Sequence, residues 1–317
     1  MDMPKVAIGN AALFAHCAVP TMNPLLSPIG TTVMSSSNGI PTIQSRSWLF
    51  TPATRPDRFP KALASGADVL IADLEDAVPA SDKAIARNNV ISVLSRQDGR
   101  DTLPLQRLAV RINAPSSTEG LSDLLMLVKA HAAPRFVLVP KVESAETVKQ
   151  IAALFADAGL VSSIVPMIES AAGVDNAAAI AVAAPRVSAL MFGAADFASD
   201  VGAQPGAFAL QVARSRVAAA CVTNARLAID APCFALGDPE ALRSDLRFAA
   251  DNGFLAKAAI HPSHLAAINE IFSVSPERID WARRVVDAAA KGVAVVDGRM
   301  VDEAIAREAR RVLAAAG

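Results

Sequence analysis

The chain has few of the features that mark several large protein classes. Only three cysteines, Cys17, Cys221 and Cys233, stand in 317 residues, and they lack the pairing and spacing of a disulfide framework or a zinc site. That usage fits a reducing, cytoplasmic setting. The four histidines make no metal pattern either, since His16 and His131 are isolated and His261 and His264 flank Pro262; His261 reads instead as a helix-start or packing residue. No basic block occurs. With 30 Lys and Arg against 31 Asp and Glu, a net charge of -1 and a pI near 6.4, nucleic acid and anionic membrane are poor candidates for the main partner, because both need a concentrated positive surface. The mean hydropathy of +0.35 is high, yet no membrane span is read: the apolar run from Val161 to Pro185 contains Glu169 and Asp175, and Val187 to Ala195 is too short. Also missing are a G-x-S-x-G nucleophile elbow, a G-x-G-x-x-G loop and a Walker sequence. A small molecule remains as the expected partner.

What is present changes character at Arg46. The stretch from Val6 to Ser45 has no charge and is broken by Pro20, Pro24, Pro28 and Pro41 and by Ser35-Ser36-Ser37-Asn38-Gly39. Only Lys5 precedes it as a positive n-region and no clear cleavage site follows, so residues 1–45 read as a disordered leader or an over-extended start rather than a signal peptide. From Arg46 onward, short runs rich in Val, Ile and Leu alternate with Ala-rich segments of helical spacing, the pattern of repeated βα units. Eight strands are expected at Ser47–Phe50, Val69–Ala72, Leu108–Ile112, Phe136–Val139, Ser163–Ile168, Ala189–Phe192, Arg226–Ile229 and Leu255–Ile260. That number closes a barrel. Between them, Ser81–Leu94 is expected to be helical with apolar Ala84, Ile85 and Val90, and Ser144–Ala158 with Val148, Ile151, Leu154 and Phe155 on one face. The expected class is α/β: a (β/α)8 TIM barrel over residues 46–272 with a C-terminal helical extension over 273–317, interrupted at Gly292–Gly298.

Nearly every expected strand ends in a residue able to hold charge: Asp73, Glu75 and Asp76, then Arg111 and Asn113, Lys141 and Glu143, Glu169, Asp196, Asp230 and His261. In such a barrel these ends converge on one face, where active sites form. Any one of them could merely mark a strand reaching water; the recurrence points to a site. Glu169 and Asp196, from adjacent strands, make the best metal pair, because Mg²⁺ is usually held by one or two carboxylates with water and substrate oxygens completing the shell.

Several motifs carry a resemblance. Arg46-Ser47-Trp48-Leu49-Phe50-Thr51-Pro52 with Arg55-Pro56-Asp57-Arg58-Phe59, Ala72-Asp73-Leu74-Glu75-Asp76-Ala77-Val78, Val110-Arg111-Ile112-Asn113, Pro140-Lys141-Val142-Glu143-Ser144, Pro166-Met167-Ile168-Glu169-Ser170, Phe192-Gly193-Ala194-Ala195-Asp196-Phe197 and Ile260-His261-Pro262 resemble, in order, the citrate lyase beta-subunit family. That family includes malyl-CoA and citramalyl-CoA lyases and belongs to the HpcH/HpaI aldolase superfamily of (β/α)8 barrels. The chain departs from the family's usual pattern at Ala53-Thr54 and Ala256, where glycines are usual, and at Glu303, where a proline is.

The resemblance implies an Mg²⁺-dependent carbon–carbon lyase that cleaves citramalyl-CoA or malyl-CoA to acetyl-CoA and pyruvate or glyoxylate. It implies Glu169 and Asp196 as metal ligands, with Ala195 beside them in the substrate-binding stretch. Arg111 is implied at the carbonyl oxygen that becomes an enolate, and Phe50, Arg55 and Lys61 at coenzyme A. It further suggests Asp302, with Asp297 as understudy, as an acid/base set over a neighbouring subunit's barrel mouth, and hence a homo-oligomer, a trimer as in relatives. Asp302 also reads as a cap for the last helix. Alternative activities are a citrate lyase beta subunit acting on a citryl thioester, and a malate-synthase or thioesterase type of reaction.

Overall fold

The structure, a computed structural model, describes residues 45–95, 103–129, 133–290, 292 and 294–315; of the leader expected over residues 1–45, all but Ser45 lies outside them. Among the described residues, β1 (Ser47–Pro52), β2 (Val69–Asp73), β3 (Leu108–Arg111), β4 (Phe136–Val139), β5 (Ser163–Ile168), β6 (Ala189–Phe192), β7 (Leu227–Asp230) and β8 (Ala256–Ala259) form a closed barrel in sequential order. All pairings are parallel, and β1 closes on β8 with Trp48 opposite Ala258. Each expected strand is present. The runs are apolar throughout because a parallel strand covered by helices is buried on both faces.

Side-chain parity divides the apolar core into two clusters. Trp48, Val69, Ile71, Ala109, Phe136, Leu138, Val165, Met167, Ala189, Met191, Leu227, Ile229, Ala256 and Ala258 fill the barrel interior, while the alternate strand residues, such as Leu70, Val110, Val137 and Leu190, pack with the surrounding helices. Those helices are α1 (Phe59–Ala64), α2 (Lys83–Ser95), α3 (Thr118–Lys129), α4 (Ala145–Asp157), α5 (Ala171–Ala181), α6 (Ala194–Asp200), α7 (Phe208–Thr223), α8 (Pro239–Asp251) and α9 (Leu265–Ile271). Starts are capped: Ser144, Ser170 and Asp238 accept hydrogen bonds from Thr147, Gly173 and both Glu240 and Ala241 amides. Two expected helix faces are shifted. Leu154 is exposed on α4, whose buried face is Val148, Ile151 and Phe155. In α2 the buried residues are Ala86, Val90 and Leu94, so Ile85 faces out; the helix proper begins at Lys83 after a 3-10 turn at Ala80–Asp82, which rotates the stripe.

One strand-end charge faces away from the barrel mouth. Asp230 shares the outward parity of Ala228 and is fully buried between sheet and helices. Its carboxylate takes both arms of Arg214 from α7, at 3.0 and 2.6 Å, and the ammonium of Lys257 from β8. Asp245 from α8 completes the group, 2.9 Å from Arg214 and 2.7 Å from Lys257. Two cations and two carboxylates thus tie two helices to two strands. The expectation of Asp230 as a mouth residue fails for want of a register: a one-residue shift in parity sends a side chain to the opposite face.

Beyond the barrel, α10 (Pro276–Ala289) and α11 (Glu303–Ala315) flank a hairpin of β9 (Ala294–Val296) and β10 (Arg299–Val301). The expected interruption of the helical tail is therefore a strand pair. Its two-residue turn, Asp297-Gly298, has φ values of +50° and +77°, the left-handed pair that a tight hairpin of matching twist demands. Ala282, Val285, Val301 and Ala309 give this arm a small core of its own. Among the described residues, no helix is long and apolar enough to cross a membrane.

Candidate active site at the barrel mouth

Inward parity continued past the strand ends brings Phe50, Asp73, Arg111 and Glu169 to one face. Arg111 is the hub. Its Nε and Nη2 clasp Asp73 at 2.7 and 2.6 Å, and its Nη1 lies 3.0 Å from Glu75 and 3.2 Å from Asp76. The guanidinium also stacks over Phe50, 4.7 Å from the ring centroid, a cation–π contact. Burial alone would lower its pKa, but Asp73, Glu75 and Asp76 more than offset that and raise it. Arg111 is a fixed, permanent cation.

Asp73 is saturated, since its oxygens also accept from the amides of Glu75 (2.9 Å) and Ala77 (3.2 Å). Glu75 is different: burial foremost, with Asp76 and Glu169 nearby, pushes its carboxyl up to about 8 against the pull of Arg111 and Lys141. It is a protonatable group beside a cation.

Glu169 directly follows β5 and is 4% exposed. Its Oε1 accepts from the Lys141 amide at 2.7 Å, and that amide is aimed by a left-handed residue, Lys141, at φ +54°. Such a conformation costs about 1 to 2 kcal/mol for a residue with a Cβ. Asp196 follows on α6, one turn after β6. Burial, then the proximity of Asp196, pushes the Glu169 carboxyl up to about 7. A buried carboxyl whose ionisation is opposed by burial and by a neighbouring carboxylate forms a site that a divalent cation relieves. Among the described residues no cluster of three or more His, Cys, Asp or Glu side chains forms. A hard cation that keeps several waters suits a two-carboxylate site, which fits Mg²⁺ rather than zinc.

Gly193 explains how Glu169 can sit there. A Cβ on Gly193 would run into the Glu169 side chain, 2.6 Å from its Cβ and closer still to its Oε2. Gly193→Ala is expected to leave the barrel folded and lower Mg²⁺ affinity by about 10- to 100-fold, the range for lost support of a ligand. Titration by calorimetry checks this; wild-type affinity in the variant would show that Glu169 is not held by that clearance.

The other expected residues are more scattered. Ala195 is exposed beside Asp196. Arg55 is paired with Asp57 at 2.7 Å on the surface, Lys61 is exposed on α1, and only Phe50 of that set touches the Arg111 hub. Asn113 is drawn away from the mouth, donating to the Leu74 carbonyl (3.0 Å) and to Asp123 (2.6 Å). His261 accepts from the Ser263 amide at 3.2 Å and caps the turn Pro262–His264, the helix-start role. Asp302 and Asp297 lie in the C-terminal arm: Asp302 Oδ1 accepts from the Ile305 amide at 2.9 Å, and Asp297 pairs with Arg284 at 2.6 Å. Sequence reading missed Lys83, whose ammonium sits under the Asp73–Asp76 loop; a lysine at a helix start carries no signal of that.

The chain is similar to several known proteins. Residues 46–262 match the HpcH/HpaI aldolase/citrate lyase family. A citrate lyase subunit beta-like protein of Mycobacterium tuberculosis is 36% identical over 280 residues, covering 85% of this chain and 95% of that protein. The L-malyl-CoA/beta-methylmalyl-CoA lyase of Cereibacter sphaeroides is 34% identical over 307 residues, covering 86% and 95%. The structure of protein CitE from Mycobacterium tuberculosis, solved with magnesium, acetoacetate and coenzyme A, superposes with a TM-score of 0.70 at 35% identity over 86% of this chain and 98% of that one. The motif resemblance is borne out, and with a sequential eight-stranded barrel matched along nearly its whole length, the chain belongs to the HpcH/HpaI aldolase/citrate lyase family.

Proposed function

We propose that the protein is an Mg²⁺-dependent carbon–carbon lyase that cleaves a hydroxyacyl-CoA thioester, citramalyl-CoA or malyl-CoA, to acetyl-CoA and pyruvate or glyoxylate. The observation that carries this reading is the juxtaposition, at one barrel mouth, of a rigidly clamped guanidinium with a buried Glu169 carboxyl whose ionisation the neighbouring Asp196 opposes. Glu169 and Asp196 would hold the metal, which supplies Lewis acidity toward the keto-acid oxygens. Arg111 stabilises the oxygen of the thioester as the carbon–carbon bond breaks and its electrons form the acetyl-CoA enolate. Phe50 forms the wall behind it, Arg55 and Lys61 meet the phosphates of coenzyme A, and Ala195 borders the substrate's carboxylate end. The hydroxyl proton leaves to Asp302 of a neighbouring subunit, and the enolate is then protonated at carbon.

Two features support the donation of Asp302 in trans. Asp302 uses Oδ1 to cap α11 while Oδ2 has no hydrogen bond among the described residues. The arm that carries it exposes Val295 and Met300, and the segments that follow β6 and β7 expose Phe208, Phe234 and Leu236; such apolar surfaces match contact between copies. A cytoplasmic homotrimer is the assembly we infer.

Incubation of the purified protein and Mg²⁺ with malyl-, citramalyl- and citryl-CoA, with the keto acid identified, tests the activity. Release of free CoA with intact hydroxy acid would instead favour thioester hydrolysis. Mixing Asp302→Ala with Glu169→Ala protein is expected to restore part of the activity, because mixed oligomers contain sites with both residues. No recovery despite subunit exchange would put the proton acceptor in the same barrel. Arg111→Lys is expected to lower kcat by about 10²- to 10³-fold with little change in KM, since a flexible ammonium does not reproduce a fixed fork. An unchanged kcat with raised KM would remove Arg111 from the bond-breaking step.

The raised pKa of Glu169 sets a pH dependence. Below about 7 the carboxyl is protonated and Mg²⁺ must expel the proton, so apparent Mg²⁺ affinity is expected to fall by about tenfold per pH unit there and level off above it. A flat profile between pH 5.5 and 8, measured by calorimetry at roughly half-unit steps, would mean that Glu169 is not a ligand.

A further inference from the structure

The proposed chemistry depends on the direction of Arg111, and that direction is set by one loop. Among the described residues, Asp73, Glu75 and Asp76 supply every carboxylate that touches the guanidinium. These three carboxyls stand within four residues and meet one guanidinium, so the aim of Arg111 follows the shape of this loop.

Lys83 anchors that loop. It is the first residue of α2, and its ammonium reaches back to donate to the carbonyls of Leu74 and Glu75 and to Asn113 Oδ1, each at 2.7 Å. Three protons meet three acceptors, the full capacity of an ammonium. Two of these acceptors are the carbonyls on either side of residue 75, so the peptide units that flank Glu75 are both fixed. The third tie leads into the body of the protein. Asn113 and its backbone amide both donate to Asp123 Oδ2, at 2.6 and 2.7 Å, and the fully buried Asp123 is held in turn by Arg87 at 2.6 Å. Lys83 and Arg87 lie four residues apart on one face of α2. The helix thus presents two cations, one to the loop and one to the residue that braces it.

We infer that Lys83 is a positioning residue for the lyase reaction, holding the Asp73–Asp76 loop so that its carboxylates aim Arg111. This rests on the reading of Arg111 given above. Lys83 touches neither substrate nor metal in this account; it acts through the loop.

The test uses the full-length protein with Lys83→Met, which keeps the length of the side chain and removes its donors. Turnover is expected to fall by about 100-fold with thioester KM nearly unchanged, the effect of misplacing a reactive group by about 1 Å. Backbone amide exchange over residues 74–78 should accelerate by about tenfold or more while exchange in β4 to β7 stays as in wild type. In an Arg111→Lys background, Lys83→Met should lower kcat little further, because the group it positions is already gone. A merely structural lysine gives the opposite result: a loss of the same size in both backgrounds. That result, or wild-type turnover in Lys83→Met, or unaltered exchange over 74–78, overturns the inference. Should the wild-type protein cleave none of the thioesters, the lyase reading fails, and amide exchange still decides whether Lys83 holds the loop.

Discussion

Glu169→Gln and Asp196→Asn are each expected to reduce turnover by about 10³-fold or more at saturating thioester, with the circular dichroism and oligomeric state of the wild type retained. The expectation follows from the small number of ligands in the proposed metal site. With two carboxylates proposed to hold a hard dication, removal of one charge takes half of that anionic donor set, and several kcal/mol of transition-state stabilisation corresponds to three or more decades in rate. The amide at position 169 can still accept from the Lys141 amide, which in wild type lies 2.7 Å from Oε1, so the loop that presents it has no reason to move. Raising Mg²⁺ should recover part of the activity of the weaker-binding variant. Full activity of either variant in buffer treated with chelator would dismiss the metal assignment altogether.

Lys257→Met is expected to destabilise the fold by about 3 to 5 kcal/mol, the effect of removing one partner from a buried ionic group. Lys257 is 1% exposed and Asp230 fully buried. Without the ammonium, Arg214 must balance both Asp230 and Asp245, and one carboxylate is left short of a counter-charge. Urea denaturation checks the value, with an unchanged slope showing that the extent of unfolding is the same. A loss below about 1 kcal/mol would mean that the group relaxes or takes up water. The acid limb gives a second reading. Burial pushes the Asp245 carboxyl up, but Lys257 and Arg214 more than offset this and hold it below its ordinary value. A carboxylate of that kind contributes stability above its unfolded pKa and loses it as the pH falls through the folded one. Lys257→Met should therefore lose less stability than wild type on acidification.

The eight strands could be read from sequence because a strand buried on both faces is written as an uninterrupted apolar run, and helices between such runs leave one topology. Glu169, Asp196 and Arg111 could be picked out as site candidates because charged residues recur at the ends of successive apolar strands, a recurrence that one strand end alone would not give. Facing was harder. Asp230 follows an apolar strand as Glu169 does, yet points outward, because direction depends on the register at which the strand leaves the sheet. The Asp297-Gly298 turn carried a local hairpin signal, but three-residue strands are too short for alternation to reveal. Lys83 and Gly193 were invisible as site residues for another reason. Each acts on a group from a different part of the chain, and only the folded backbone brings Lys83 beneath Glu75 or Glu169 against Gly193.

The closure of β1 on β8, with Trp48 opposite Ala258, also governs how the protein can be made. A ring of sequential strands is complete only when its last strand has left the ribosome. Until then β1 offers an unpaired edge along its whole length, a template for association with other nascent chains. Contacts of such long sequence separation form slowly, because the loop entropy must be overcome before they contribute. The C-terminal arm behaves differently: its two helices and hairpin are neighbours in sequence and share a core, so it can order as soon as it emerges. Refolding is therefore expected to show a fast phase from the arm and a slow one from the ring, with the slow phase setting both yield and the time during which chaperones are needed.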